Sequence, residues 1–207
     1  MIAIITGDII NSGDYNSEEW IPVLKSHLST IGNTPVDWEV YRGDEFQVKL
    51  PVENALKEAI HLKALLKCVK NLDVRMGIGF GDETYVGNGV TESNGLAYQR
   101  SGRTLNLLKQ AKTNIAVATG NTGIDETLNL MLKLALDFMD DWSVVSAEIV
   151  SIVLNNKTTS QKEIAKQLDI RQSAVSQRLK RARLDLVLNL LNYYTKISKE
   201  IKYDTLD

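Results

Sequence analysis

The stretch Trp38 to Leu50, WEVYRGDEFQVKL, alternates apolar and polar residues on both sides of a Gly-Asp pair. That is the pattern of two short antiparallel strands joined by a tight turn, and it predicts Asp44 at a hairpin tip. Upstream, Met1 to Ile10 reads MIAIITGDII, an apolar run ending in Gly7-Asp8, as expected of a buried central strand. If the first strand lies beside the hairpin, Asp8 and Asp44 project from one edge of a sheet, near enough to share a divalent cation and, through it, a nucleotide's phosphates. Each acid also has an ordinary reading: Asp44 capping its own turn, Asp8 bonding amides at the end of its strand. Glu45 is expected on the opposite side of its strand from Asp44, solvated or paired with Arg42.

The neighbouring segments fit a sheet in which that pairing occurs. Asn11 to Asn16 is turn chemistry, and Ser17 with Glu18 and Glu19 reads as the cap and acidic start of a helix to about Ile31. Gly32-Asn33-Thr34-Pro35 stops it. Pro51 opens a second amphipathic helix to about Val69, and DVRMGIGF, residues 73–80, is another apolar strand. The order strand, helix, strand, strand, helix, strand is the split βαβ arrangement of ferredoxin-like folds, whose first and third strands are neighbours. Residues 81–95 read as a loop or loose hairpin. A helix from about Leu96 to Ala111 and a short strand over Asn114 to Ala118 complete the sheet, and a helix over Gly123 to Met139 leads onward. The domain boundary is placed in that helix, giving an α/β domain over 1–120, a connecting helix over 121–141 and an all-α domain over 142–207.

The net charge of −2 hides an asymmetry. Lys157 to Lys202 holds 11 Lys or Arg against 4 Asp or Glu, while the remainder holds 13 against 22. A basic tail on an acidic body suggests a nucleic-acid contact at one end, with a solvated helical surface as the plain alternative. No apolar run approaches a membrane span and no signal peptide is evident, so a cytoplasmic location is expected. Cys68, the single cysteine, excludes an internal disulfide, supports no zinc site, and sits on an apolar helical face as a buried thiol would. His27 and His61 lie in amphipathic helices with no partner pattern for catalysis or metal binding.

In the tail, Trp142 to Leu154 reads as one helix and Ser160 to Leu168 as a second, with Ser160 and Glu163 forming a capping box. Asp169-Ile170 is a turn, and Gln172 starts a third helix. Apolar Ile164, Leu168, Ile170, Val175 and Leu179, with small Ala165, match the packing of a helix-turn-helix. Arg171, Gln172, Ser173, Ser176, Gln177, Lys180, Arg181 and Arg183 crowd hydrogen bonders and cations where base edges and phosphates of double-stranded DNA would be met. Apolar positions continue from Ala182 to Ile201 at three- and four-residue spacing, so the third helix is expected to run on unbroken. That stripe serves equally to pack on its own domain or to form a homodimer seam.

The motifs TGDI, YRGDEFQ, DVRMGIG, ESNG, SG, SAE and QSAVSQRLKRA identify the chain as resembling the SatD family over nearly its whole length. The amino-terminal part also resembles the palm domain of class III nucleotide cyclases and GGDEF proteins. The resemblance implies metal ligation by Asp8 and Asp44, phosphate contacts from the backbone over Ile9, Asn11, Ser12 and Gly13, and a ribose contact from Asn106. Mg²⁺ or Mn²⁺ would accompany the nucleotide. Two positions depart from the pattern: Gln110 stands where cyclases carry an arginine that stabilises phosphate charge, and one glycine, Gly43, stands where GGDEF proteins have two. The expected function is therefore a DNA-binding transcriptional regulator with a nucleotide-sensing palm. A metal-dependent nucleotide cyclase or nucleotidyl transferase with an appended DNA module is the alternative, and a purely structural dimer a third.

Overall fold

In the computed structural model, which describes residues 1–155 and 160–201, the apolar run at the amino terminus forms β1 (Ile2–Ile10), the middle strand of a five-stranded sheet. The remaining strands are β2 (Trp38–Tyr41), β3 (Glu45–Leu50), β4 (Asp73–Gly81) and β5 (Ile115–Ala118), in the order β2-β3-β1-β4-β5. β1 is antiparallel to both β3 and β4, and β5 is parallel to β4. The adjacency of the first strand and the hairpin strand, expected from element order, is thus present, with Asp8 opposite Glu45 on one side and Arg75 on the other.

Period-two alternation divides the sheet into two differently covered faces. Ala3, Ile5 and Ile9 share one face with Phe46, Val48, Val74, Met76 and Ile78, and pack with Trp20 and Leu24 of α1 (Ser17–Ile31) and Leu56 and Ile60 of α2 (Ala55–Lys67). α1 begins one residue earlier than the Ser17 cap expected: the Asn16 side chain accepts from the Glu18 amide at 3.1 Å, which makes Asn16 the N-cap. The other face carries Thr6, Asp8, Glu45 and Gln47 and is roofed by α3 (Leu96–Ala111). That helix lies almost on the backbone of β4. A Cβ at Gly79 would sit 2.2 Å from the Ala97 carbonyl oxygen, and one at Gly77 2.4 Å from that of Ser101, so the glycines of MGIGFG are a packing requirement.

α4 (Thr122–Met139) closes the far edge: the Asn129 side chain both donates to and accepts from the backbone of Val117 at 2.8 Å, occupying polar groups of edge strand β5. The helices α5 (Val144–Asn155), α6 (Gln161–Gln167), α7 (Gln172–Arg181) and α8 (Leu184–Ile197) follow. α5 packs on α2, α7 on α5, and the buried Tyr194 hydroxyl of α8 donates to the Val52 carbonyl. Residues from both sides of the expected boundary join a single apolar cluster. Buried Lys63 of α2 adds a polar tie, with Nζ 2.7 and 2.9 Å from the Asp73 carboxylate oxygens.

The third helix of the tail is not continuous. α7 ends at Arg181, Arg183 takes a left-handed φ of 50°, and α8 starts afresh. Trp142 Nε1 donates to the Ala182 carbonyl at 2.9 Å, satisfying a backbone acceptor that the break frees. The apolar stripe beyond it, Leu184, Val187, Leu190, Tyr194 and Ile201, is buried within the chain itself. Its use as a dimer seam is thereby superseded by packing on the chain's own core. Residues 156–159 and 202–207 of the all-α domain lie outside the described residues.

Candidate functional site

Asp8 is the centre of a charged cluster beneath α3. Strand register sets Glu45 and Arg75 on either side of it, and Lys109, in the last turn of α3, reaches down from above. Arg75 donates to Asp8 Oδ2 at 3.2 Å, and Lys109 Nζ lies 3.5 Å from the same oxygen and 3.2 Å from Glu45 Oε1. The other oxygen, Asp8 Oδ1, is buried without a partner, as is Arg75 Nε. Glu45 also lies 3.9 Å from Arg42, the pairing expected from the sequence.

Asp44 sits at the same end of the sheet with a different set of neighbours. The hairpin turns through Arg42 (φ 50°) and Gly43 (φ 87°), Ile9 N–H donates to the Asp44 carbonyl at 3.1 Å, and Ser12 Oγ donates to its carboxylate at 2.7 Å. The Ile9 amide expected to meet a phosphate is therefore already bonded. Asn11, in a left-handed conformation, and Gly13 are exposed, and Asn11 Nδ2 donates to the Asn71 carbonyl at 3.2 Å. Asn106 is exposed on α3 one turn before Lys109, and Gln110 is exposed beside it.

Both acids already have protein partners. Asp8 Oδ2 is shared by two protein cations, Asp44 is held by Ser12, and among the described residues no triad of metal-ligating side chains assembles here. What adjoins them suits an anion. An open basin of about 580 Å³ is lined by Asn11, Asn71, Arg75, Lys109, Lys112 and Asn114, and also by Lys67 and Asp73, which pair with each other at 3.2 Å. Three unneutralised or partly neutralised cations around one concavity attract phosphate by charge and by hydrogen bonding.

The second region is the tail. Ser160 and Glu163 form the expected capping box, with Ser160 N–H donating to Glu163 Oε2 at 2.7 Å. Those bonds hold the Glu163 carboxyl below its ordinary pKa. α6 passes to α7 through a turn in which Asp169 is left-handed (φ 50°) and Ile170 N–H returns to the Ala165 carbonyl at 3.0 Å. Val175 is buried, whereas Arg171, Gln172, Ser173, Ser176, Gln177, Lys180 and Arg181 are all exposed. Arg178, absent from the expected contact set, is taken by Glu148 of α5 at 3.1 Å. Arg183 is exposed, but its guanidinium carbon lies 5.4 Å from the centroid of the Phe138 ring, a cation–π contact that helps hold the α7–α8 break.

A third cluster escaped sequence reasoning. His27 Nε2 of α1 lies 3.1 Å from Glu58 Oε2 of α2, and the His27 and His61 rings meet edge to face with centroids 4.4 Å apart. Burial, and secondarily the charge of His27, lowers the His61 pKa to about 4. Burial alone would raise the Glu58 carboxyl, but its bond to His27 and the charge of Lys57 carry it below the usual range. Glu58 and His61 are one helical turn apart, a spacing visible in the sequence; His27 joins them only through the packing of α1 on α2.

A family model described as the SatD family matches residues 1–196 of the chain. Among curated proteins and solved structures nothing matches.

Proposed function

Starting from the chain's membership of the SatD family, we propose that it is a cytoplasmic DNA-binding transcriptional regulator, with α6 and α7 as a helix-turn-helix and the α/β part as a nucleotide-cyclase-like palm that senses a nucleotide without efficient turnover. The observation that carries this reading is the outward face of α7, where seven hydrogen bonders and cations from Arg171 to Arg181 are exposed above a buried Val175. A ten-residue helix is about 15 Å long and fits a major groove about 12 Å wide. Gln172 and Gln177 are chemically suited to adenine edges, and Lys180 and Arg181 to phosphates.

Fluorescence anisotropy with a randomised duplex pool, followed by selection of the retained sequences, tests the reading. Gln172→Ala or Gln177→Ala should relax preference at one base position, by about 1–3 kcal/mol, while Arg181→Ala should weaken all duplexes alike and reduce the salt slope by about 1. Absence of salt-dependent binding to any duplex overturns it.

For the palm, the supporting observation is the basin beside Arg75, Lys109 and Lys112. Nucleoside triphosphate should raise the melting temperature by mass action, and Mg²⁺ or Mn²⁺ on Asp8 and Asp44 should contribute only with nucleotide present, because the ion must displace Lys109 from Asp8. Gln110 in place of a charge-stabilising arginine argues for slow chemistry. Cyclic nucleotide formation at roughly 1 per second or more would instead favour the cyclase reading.

A further inference from the structure

We propose that His27, Glu58 and His61 form a binding site for a zinc-type divalent ion at the seam between the α/β layer and the tail helices. The donor set is the first argument. Two imidazoles and one carboxylate converge with their ligand atoms all within 4.8 Å of one another, and among the described residues no other such triad is found. Zn²⁺ takes nitrogen and oxygen ligands at about 2.0–2.2 Å in a tetrahedron, which sets neighbouring ligand atoms roughly 3.3 Å apart. The 3.1 Å between His27 Nε2 and Glu58 Oε2 already meets that spacing, and His61, within 4.8 Å of both, has to close by at most about 1.5 Å.

The second argument is support. All three side chains project from packed helices, and His61 is 3 % exposed. His61 Nε2 lies 3.3 Å from Ser151 Oγ on α5, the kind of outer partner that orients a ligating imidazole. The third is access: clefts of about 370 and 530 Å³ both reach His27 and His61, with Thr30 and Asn155 at their walls, leaving room for a water as fourth ligand. An ordinary ion pair needs only His27 and Glu58. The second imidazole, buried and without a carboxylate of its own, is what a pair does not require. The neutral imidazole that predominates at pH 7 has a lone pair available to a metal.

Lys57 is the opposing group, with Nζ 3.4 Å from Glu58 Oε1. Its charge disfavours a cation, which makes it a diagnostic position. Full-length chain stripped with a chelator is titrated with Zn²⁺ by calorimetry, with circular dichroism confirming that each variant is folded. One equivalent per chain is expected. His27→Gln and Glu58→Gln should each weaken binding at least roughly 10-fold, Lys57→Gln should tighten it, and Cys68→Ser and Asp8→Asn should leave it unchanged. Failure of the wild-type chain to bind one equivalent, or binding that survives both His27→Gln and Glu58→Gln, overturns the proposal. Binding lost instead in Cys68→Ser or Asp8→Asn overturns it equally, by locating the ion elsewhere.

Discussion

Acidification should destabilise this protein through one buried imidazole. In the folded chain the His61 pKa is about 4, against an ordinary 6.5, because burial penalises its charged form and His27 adds to the penalty. The sign is the reverse of an ion-paired histidine. The unfolded state takes up a proton as pH falls through 6.5, and the native state does not until about 4, so stability present above 6.5 is lost progressively between those values. From pH 7 to pH 5 the loss is about 2 kcal/mol, and it approaches roughly 3 kcal/mol below pH 4, at about 1.36 kcal/mol per unit. Glu58, whose pKa is lowered below 4.5, contributes stability that disappears only at more acidic pH. The groups facing His61 are His27 from α1, Lys57 and Glu58 from α2, and neutral Ser151 and Asn155 from α5. Urea denaturation of chelator-treated protein at pH 7, 6 and 5 is the assay. His61→Gln should show a shallower pH dependence than wild type by about 2 kcal/mol over that span. Parallel curves for the two proteins would refute the assignment of a buried, neutral His61.

Gly79→Ala should destabilise by several kcal/mol, since its Cβ would meet the Ala97 carbonyl at 2.2 Å and the backbone of α3 cannot yield cheaply; a thermal melt within a degree of wild type would refute the close approach. Lys63→Met should cost about 1–3 kcal/mol, because Asp73 and Asp140 lose the buried ammonium at 2.7 and 2.6 Å while Lys67 still holds Asp73 at 3.2 Å, read by chemical denaturation. Tyr194→Phe should cost about 0.5–1.5 kcal/mol by removing one of two hydrogen bonds to the Val52 carbonyl, which keeps the bond from the Ala55 N–H. Light scattering at micromolar concentration tests the proposed homodimer, for which the exposed Leu130 and Leu134 of α4 and Leu186 of α8 remain available once the buried positions of α8 are used within the chain; a mass of 23.1 kDa would refute it.

What was legible in the sequence is what local pattern encodes. Alternation marks the two hairpin strands, apolar runs mark β1 and β4, and element order puts β1 beside β3, so the sequence alone assigns Asp8 and the Gly-Asp turn to one end of the sheet. The Ser160–Glu163 capping box and the exposed face of α7 were likewise readable, because capping and amphipathicity are local. Three features were not. Lys109 reaches Asp8 only because Gly77 and Gly79 let α3 descend onto β4, a consequence of packing distance. The break at Arg183 puts a non-glycine residue in the left-handed region, stabilised by contacts to Trp142 and Phe138 that are remote in sequence. His27 meets Glu58 across two helices whose crossing no periodicity specifies.

The continuity of the core also decides how function can be dissected. A cut after Asp140 would remove the tail helices cleanly if the boundary in α4 separated independent units. Instead α5 buries Ala147, Ile149, Val150 and Leu154 in the cluster that α2 and the sheet share, and α8 bonds to Val52. Truncation would expose the apolar faces of α2 and α4, so loss of DNA binding in such a fragment would not distinguish a missing interface from a damaged fold. Point substitutions on the exposed face of α7 avoid this, because they touch no buried contact. The same continuity supplies a mechanical route: His61 on α2 contacts Ser151 on α5, and Glu148 on α5 holds Arg178 on α7. If the two parts are energetically coupled along α5, Glu148→Gln should reduce any effect of nucleotide or Zn²⁺ on DNA affinity while leaving ligand-free DNA binding within about 2-fold. An unchanged ligand effect in that variant, measured by anisotropy at fixed salt, would show that the shared core packs the two parts together without linking their sites.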